Sequence, residues 1–319
     1  MRTTGPSRRR LILAMGGALL APAIARGQQP KRLALFLRAS DPEAALREFR
    51  ERQADSLVAR GWIEGKTLGL ELHLVDDVLE RYPEAARRLV ATRPDAIWTN
   101  TWFLARALQA ATTTIPIVAV IGDPVGAGLA KSLTAPGGNV TGISLALDVA
   151  AMKQGEMLRQ LLPGLRVLYY FEGDMLRGKS LDHRPAGSLP LLDAELARER
   201  PKLGTAALAV PIWLGGARSM TDGYRDLAQL ALRHRLPSVG WNREFVDAGG
   251  LCCYSLEYRV EDRPRVAAIF DRVLRGGDPA RIPFEMPTHA LLGINRKTAS
   301  ALGITLPAEW LLRANFVVA

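Results

Sequence analysis

The sequence predicts an α/β protein built as two Rossmann-like lobes with parallel sheets. Three observations carry that expectation. Residues 117–121 read I-V-A-V-I, a continuous apolar and mostly β-branched run, as a parallel strand covered on both faces requires. Counting that run, four strand-like and three helix-like segments alternate within about 90 residues, the pattern of a doubly wound sheet. After residues 140–144 the alternation starts again, in a chain of 319 residues; a single core stops growing at about 250–300 residues.

In order, a strand at 32–37 is followed by Ser40-Asp41-Pro42, with Asp41 as cap of a helix reaching about residue 60. Ala45, Phe49, Ala54, Leu57 and Val58 follow the helical period. A G-W-I-E-G turn leads to an alternating strand at 68–75 and a helix at 80–92. A strand at 96–99 then ends in Asn100-Thr101-Trp102 before a helix at 103–111. Gly122-Asp123-Pro124 stops the 117–121 strand with turn chemistry, and a short helix is expected after Asp123. A-P-G-G-N at 135–139 breaks the chain once more before the strand at 140–144.

The second half reads as a helix at 148–162, a strand at 166–171, a helix at 189–200, a strand at 206–210, a helix at 221–235 and a strand at 237–240. Residues 251–255 lead out into a helix at 263–274. Between Phe171 and Ala206 only one good helical run is visible. Residues 173–188 read as an irregular loop, so one strand–helix step of the second lobe is expected to be missing.

The N-terminus has the form of an export signal. Arg8-Arg9-Arg10 precede a mildly apolar stretch to Ala25, and Ala23-Ile24-Ala25 gives an A-x-A cleavage pattern. Cleavage is expected near Ala25–Gly27, and S-R-R-R-L-I-L is similar to a twin-arginine signal. The alternative is an uncleaved anchor, which a run this short and rich in Ala and Gly supports poorly. The formal charge of +10 includes five Arg and no acid in residues 1–27, so the mature chain carries +5. Its Arg and acidic residues alternate, which describes a solvated surface and excludes a nucleic-acid footprint. A hydrophobic content of 48% and mean hydropathy of +0.03 describe a soluble globular chain.

Catalytic patterns are sparse. Gly173–Ser180 matches the phosphate-loop spacing G-x-x-x-x-G-K-S after an apolar strand, but Pro185 and Gly187 leave little room for the helix such a loop needs. A nucleotide-dependent enzyme using Lys179 stays open as an alternative. The four histidines have no metal-ligand spacing, and there is no G-x-S-x-G elbow. Adjacent Cys252 and Cys253 point to opposite faces of an extended segment and read as small buried hydrophobes. No cofactor is called for. Trp102, Trp213 and Trp241 each fall at or after the carboxyl end of a strand. There they either converge on one crevice or cap their own lobe's core. With helix N-termini after Thr101 and Asp123, the crevice would suit a small ligand with an apolar or aromatic body and an anionic end.

Three ordered stretches carry a resemblance. G-D-P-V-G-A-G-L followed by P-G-G-N-V-T-G, R-E-F-V-D-A-G-G-L at 243–251, and N-R-K-T-A-S-A-L-G-I-T-L-P at 295–307 resemble the substrate-binding proteins of ABC transporters. The branch is the one similar to tryptophan-binding receptors, with the type I periplasmic-binding fold. The resemblance spans about residues 32–315, except for a poor stretch near 173–200, and implies repeated crossings between lobes through hinge strands. It implies a first lobe of 31–143 plus about 256–284, and a second of 144–255 plus about 285–319. It also implies a periplasmic receptor, not an enzyme, that closes on a small molecule and hands it to an inner-membrane ABC permease. By position, Thr101, Trp102 and Asp123 would form the first wall. Glu172, Trp213, Trp241 and Asn242 would form the second, and Ser40 the rim. Thr141, Ser144, Cys253 and Ser255 would lie in the hinge strands. A ligand-sensing module that signals to a partner is the other reading, since the same pocket physics serves both.

Overall fold

The computed structural model describes residues 29–39, 41–76, 78–171, 182–186, 189–199, 205–210, 220–257 and 259–319. The export segment at 1–27, Ser40, Glu172, Gly173–Ser180 and Trp213 lie outside them. Strands β1 (Lys31–Arg38), β2 (Leu68–Val75), β3 (Ala96–Thr99), β4 (Ile117–Ile121) and β5 (Val140–Ser144) form one sheet in the order β2-β1-β3-β4-β5. All neighbours in it are parallel. Helices α1 (Pro42–Val58), α2 (Tyr82–Ala91) and α3 (Trp102–Ala111) join the first four strands.

The continuous apolar runs have a direct cause in this lobe. In β1, Leu33, Leu35 and Leu37 enter one core with Phe49 of α1, while Ala34 and Phe36 enter the opposite core with Ala86 and Leu104 of α2 and α3. Successive strand residues face opposite sides, so a strand with helices on both faces must be apolar throughout. The half-exposed edge strand β2 alternates instead. Local chemistry sets the ends: Asp41 Oδ1 accepts from the N–H groups of Glu43 (2.9 Å) and Ala44 (3.1 Å) at the start of α1.

Asp95 fastens the start of β1, its carboxylate accepting from Lys31 Nζ and from the Arg32 backbone N–H, each at 2.8 Å. Burial pushes this carboxyl up, but the Arg32 amide, the Lys31 ammonium and the Arg32 guanidinium together outweigh burial and hold it below its ordinary value. Because the folded pKa is the lower one, the stability it contributes is present above the unfolded value of about 3.9 and is lost as pH falls through the folded value. Asp95→Asn is therefore expected to lower the urea midpoint at neutral pH, with the gap to the parent narrowing below about pH 4. Urea titrations of both proteins at pH 7, 4 and 3 check this.

The second sheet contains β6 (Val167–Phe171), β7 (Asp182–Ala186), β8 (Ala206–Ala209), β9 (Ser238–Gly240), β10 (Cys252–Glu257), β11 (His289–Asn295) and β12 (Phe316–Val318). Its order is β12-β11-β10-β9-β8-β6-β7. Strands β6 to β10 repeat the order of the first sheet, β11 is antiparallel to β10, and β12 is parallel to β11. Around it lie α4 (Leu147–Leu161), α5 (Leu189–Glu199), α6 (Met220–Arg233), α7 (Arg243–Asp247), α9 (Arg296–Leu302) and α10 (Ala308–Arg313). The fold class is thus the expected one.

One expectation fails here. A strand, β7, stands at 182–186 where an irregular loop is expected, paired in parallel with β6. Its sequence D-H-R-P-A lacks apolar alternation because the strand lies at the sheet edge, where proline and charge are tolerated. Among the described residues, no helix is long and apolar enough to cross a membrane.

Three segments join the sheets. Leu145 and Ala146 lead from β5 to α4. After β10 the chain returns to the first lobe as α8 (Arg263–Leu274), whose Phe270 ring sits 5.3 Å from that of Trp98 and 6.2 Å from that of Phe49. The next residues lie along β5: Thr141 Oγ1 donates to Ile282 O (2.7 Å), Glu285 N to Gly142 O (2.9 Å) and Ser144 N to Glu285 O (2.8 Å). Residues 286–288 then reach β11.

Candidate functional site

In a sheet ordered 2-1-3-4-5 the connections after β1 and β3 leave on opposite faces, and the crevice between them at the carboxyl edge is where ligands sit. Both sheets here have that order, and the crossings after β5 and β10 leave from the same carboxyl edges. The two edges therefore flank the junction of the lobes.

At the end of β3, Thr101 caps α3, its Oγ1 accepting from Leu104 N at 3.3 Å. Leu104, Ala105 and Leu108 form the buried face of α3, so the helical period turns Trp102 and Phe103 outward. They are 40% and 37% exposed, with ring centroids 3.8 Å apart at an interplanar angle of 27°. Large exposed apolar side chains side by side are costly unless something covers them. The first-turn N–H groups of a helix have no acceptor within it, and its positive dipole end favours an anion. An apolar ring platform and an anion-seeking helix start thus share one place.

The end of β4 differs from expectation. No helix follows Asp123; residues 124–128 are turns. Asp123 Oδ1 accepts from Val125 N (3.0 Å) and Gly126 N (2.8 Å), so the amides expected to receive a ligand carboxylate are held by the chain's own. Proline at 124 and glycines at 126 and 128 favour successive turns over helix propagation.

A family model described as ABC transporter substrate binding protein matches residues 44–172 and 209–318. The chain belongs to that family. It is 32% identical over 258 residues to a tyrosine-binding protein of Clostridioides difficile, covering 77% of this chain and 74% of that one. Among solved structures it resembles a conserved domain protein from Vibrio cholerae, with TM-score 0.69, 24% identity, and coverage of 91% of this chain and 100% of that one. It also resembles a Streptococcus pneumonia ABC domain in complex with L-Trp, with TM-score 0.67, 22% identity and the same coverage. The stretch missed by the family model, 173–208, includes the segment where the sequence resemblance is poor.

In the second lobe of this substrate-binding protein, Trp241 follows β9 but is only 3% exposed, inside the core cluster that also holds Leu251, Cys252 and Trp310. The structure does not bring it to the Trp102 platform: among the described residues, the ring against Trp102 is Phe103. Trp241 Nε1 is buried without a hydrogen-bond partner among the described residues. Trp241→Phe removes that donor along with part of the ring. An unsatisfied buried donor costs about 1–3 kcal/mol, which offsets much of the lost packing. The variant is expected to unfold within about 1 kcal/mol of the parent, well short of the roughly 3–5 kcal/mol typical of emptying an aromatic site. Urea denaturation checks this.

Asn242 caps α7, its Oδ1 accepting from Phe245 N (3.2 Å) while its Nδ2 donates to the Tyr224 hydroxyl (3.0 Å). Thr141 and Ser144 lie in β5 and Cys253 and Ser255 in β10, all four buried in the strands that lead into crossings. The Cys252 and Cys253 thiols are free and buried. Burial pushes both up, that of Cys253 to about 12, so neither is a nucleophile at neutral pH. Sequence reasoning missed Phe103, whose only signal is a second large aromatic beside Trp102 in the first helical turn. It also missed a charge cluster at the crossings, formed by the buried Asp262 with the partly exposed Arg265 and Glu285.

Proposed function

We propose that this substrate-binding protein is an exported receptor that takes up a small ligand between its lobes. The ligand has an aromatic or otherwise flat apolar body and a carboxylate. Its body lies on the Trp102–Phe103 platform, and its carboxylate meets the start of α3. Contacts made only when the lobes are shut shift the open–closed equilibrium, and the loaded receptor passes its ligand to a membrane ABC permease. No bond is made or broken in this role.

The observation that carries the reading is the stacked, half-exposed pair Trp102–Phe103 at a helix N-terminus beside the switch point of the first sheet. The tyrosine-binding relative and the L-Trp complex support an aromatic amino acid as the first probe. Export rests on the Arg-rich start, apolar stretch and A-x-A pattern of residues 1–27.

The test is calorimetry and thermal shift on the mature protein with L-tryptophan, L-tyrosine and aromatic carboxylates. A ligand at about 100 times its Kd stabilises by roughly 2.7 kcal/mol. A folded protein that responds to none of these probes would sink the aromatic reading. Fractionation of cells making the full chain tests export: retention in the cytoplasm refutes it.

A further inference from the structure

Where the three crossings meet, one acid is almost fully enclosed. Asp262, at the start of α8, is 3% exposed. Its Oδ2 accepts from the Arg259 backbone N–H (2.9 Å), and its Oδ1 lies 3.3 Å from the Arg265 guanidinium. Arg265 also pairs with Glu285 and donates to Met286 O at 3.0 Å. Glu285 is in turn hydrogen-bonded along β5. These contacts bind the second and third crossings to the first lobe.

Two further contacts come from the other side. The Thr288 hydroxyl donates to Asp262 Oδ1 (3.4 Å), and His289 Nδ1 lies 3.9 Å from Asp262 Oδ2. Both residues stand at the entry to β11, a strand of the second sheet. Between the anchored Met286 carbonyl and Thr288 lies only Pro287, whose φ is fixed by its ring. Pro287 removes one of the few torsions in this short link, and a turn of the second lobe about it moves Thr288 and His289 relative to Asp262.

We propose that Asp262 is the catch of a hinge latch, and that Thr288 and His289 of the second lobe engage it to hold the inter-lobe arrangement seen here. The proposal rests on the hinge-closure reading and concerns its regulation: the resting balance between arrangements is set at the crossings, away from the ligand. A buried carboxylate gives the latch strength, since a hydrogen bond to a charged group outweighs a neutral one. The partially exposed partners let it open without stranding a second buried charge.

The test is pulsed EPR on the ligand-free protein, with spin labels at Arg88→Cys in α2 and Leu312→Cys in α10. These sites are 79% and 87% exposed, and the native thiols are buried. The double variant Thr288→Ala/His289→Ala is expected to lower the share of the parent distance, relative to other distances, by roughly fivefold. Thr288→Ser, which keeps the hydroxyl, should retain the parent distribution. Should the double variant fail to fold, Asp262→Asn serves instead, with the same loss expected. A folded variant with an unchanged distribution overturns the latch. Because no ligand is present, failure of L-tryptophan to bind leaves this result standing, and an unchanged distribution leaves the receptor reading standing.

Discussion

Trp102→Ala is expected to leave the protein folded and to remove most of its affinity for an aromatic ligand. The side chain is 40% exposed and lies outside the buried face of α3. Its truncation leaves no cavity, and the stability change should stay within about 1 kcal/mol. In the liganded form the same ring would be sandwiched and desolvated, the condition under which single aromatic residues dominate binding. Truncating such a residue costs about 2 kcal/mol or more, an affinity loss of roughly 30-fold. Calorimetry with L-tryptophan, paired with urea denaturation, separates the two effects. Unchanged affinity would remove Trp102 from the site; a large loss of stability would make it a core residue.

Gly142→Ala is expected to unfold the first lobe, costing more than about 4 kcal/mol. Gly142 lies in β5 opposite Ala119 of β4 and holds φ at +144°, a region side chains avoid. A Cβ there would collide with the Ala119 backbone. That backbone cannot retreat, because β4 is paired with β3 on its other side. Glu285 N also donates to Gly142 O, so displacing Gly142 would loosen the third crossing as well. Urea unfolding gives the answer, and a midpoint close to the parent's would mean that β5 can bulge away from β4.

Much of the scaffold is legible in the sequence because it is written in local periods. The runs of β1 and β4 are apolar throughout because helices cover both faces, and Asp41 and Thr101 announce their helices by side-chain chemistry. The second lobe is less legible where its edge is polar: β7 has no amphipathic pattern to find. The candidate site is legible in part. Strand ends place Trp102 and Trp241 at carboxyl edges, but nothing local separates an indole that faces outward from one that fills a core.

Sequence by itself determined the α/β alternation and the caps, which rest on residues a few positions apart, and the repeat of the lobe pattern and the family, which rest on short local patterns recurring in order along the chain. Tertiary structure alone decided that Trp241 is buried in the core of the second lobe while Trp102 stays open, and that Asp123 spends its carboxylate on its own turn. It alone assembled Asp262, Arg265, Glu285 and Thr288 at the crossings. Exposure and ion pairing depend on which distant segment arrives beside a residue, and no local period records that arrival.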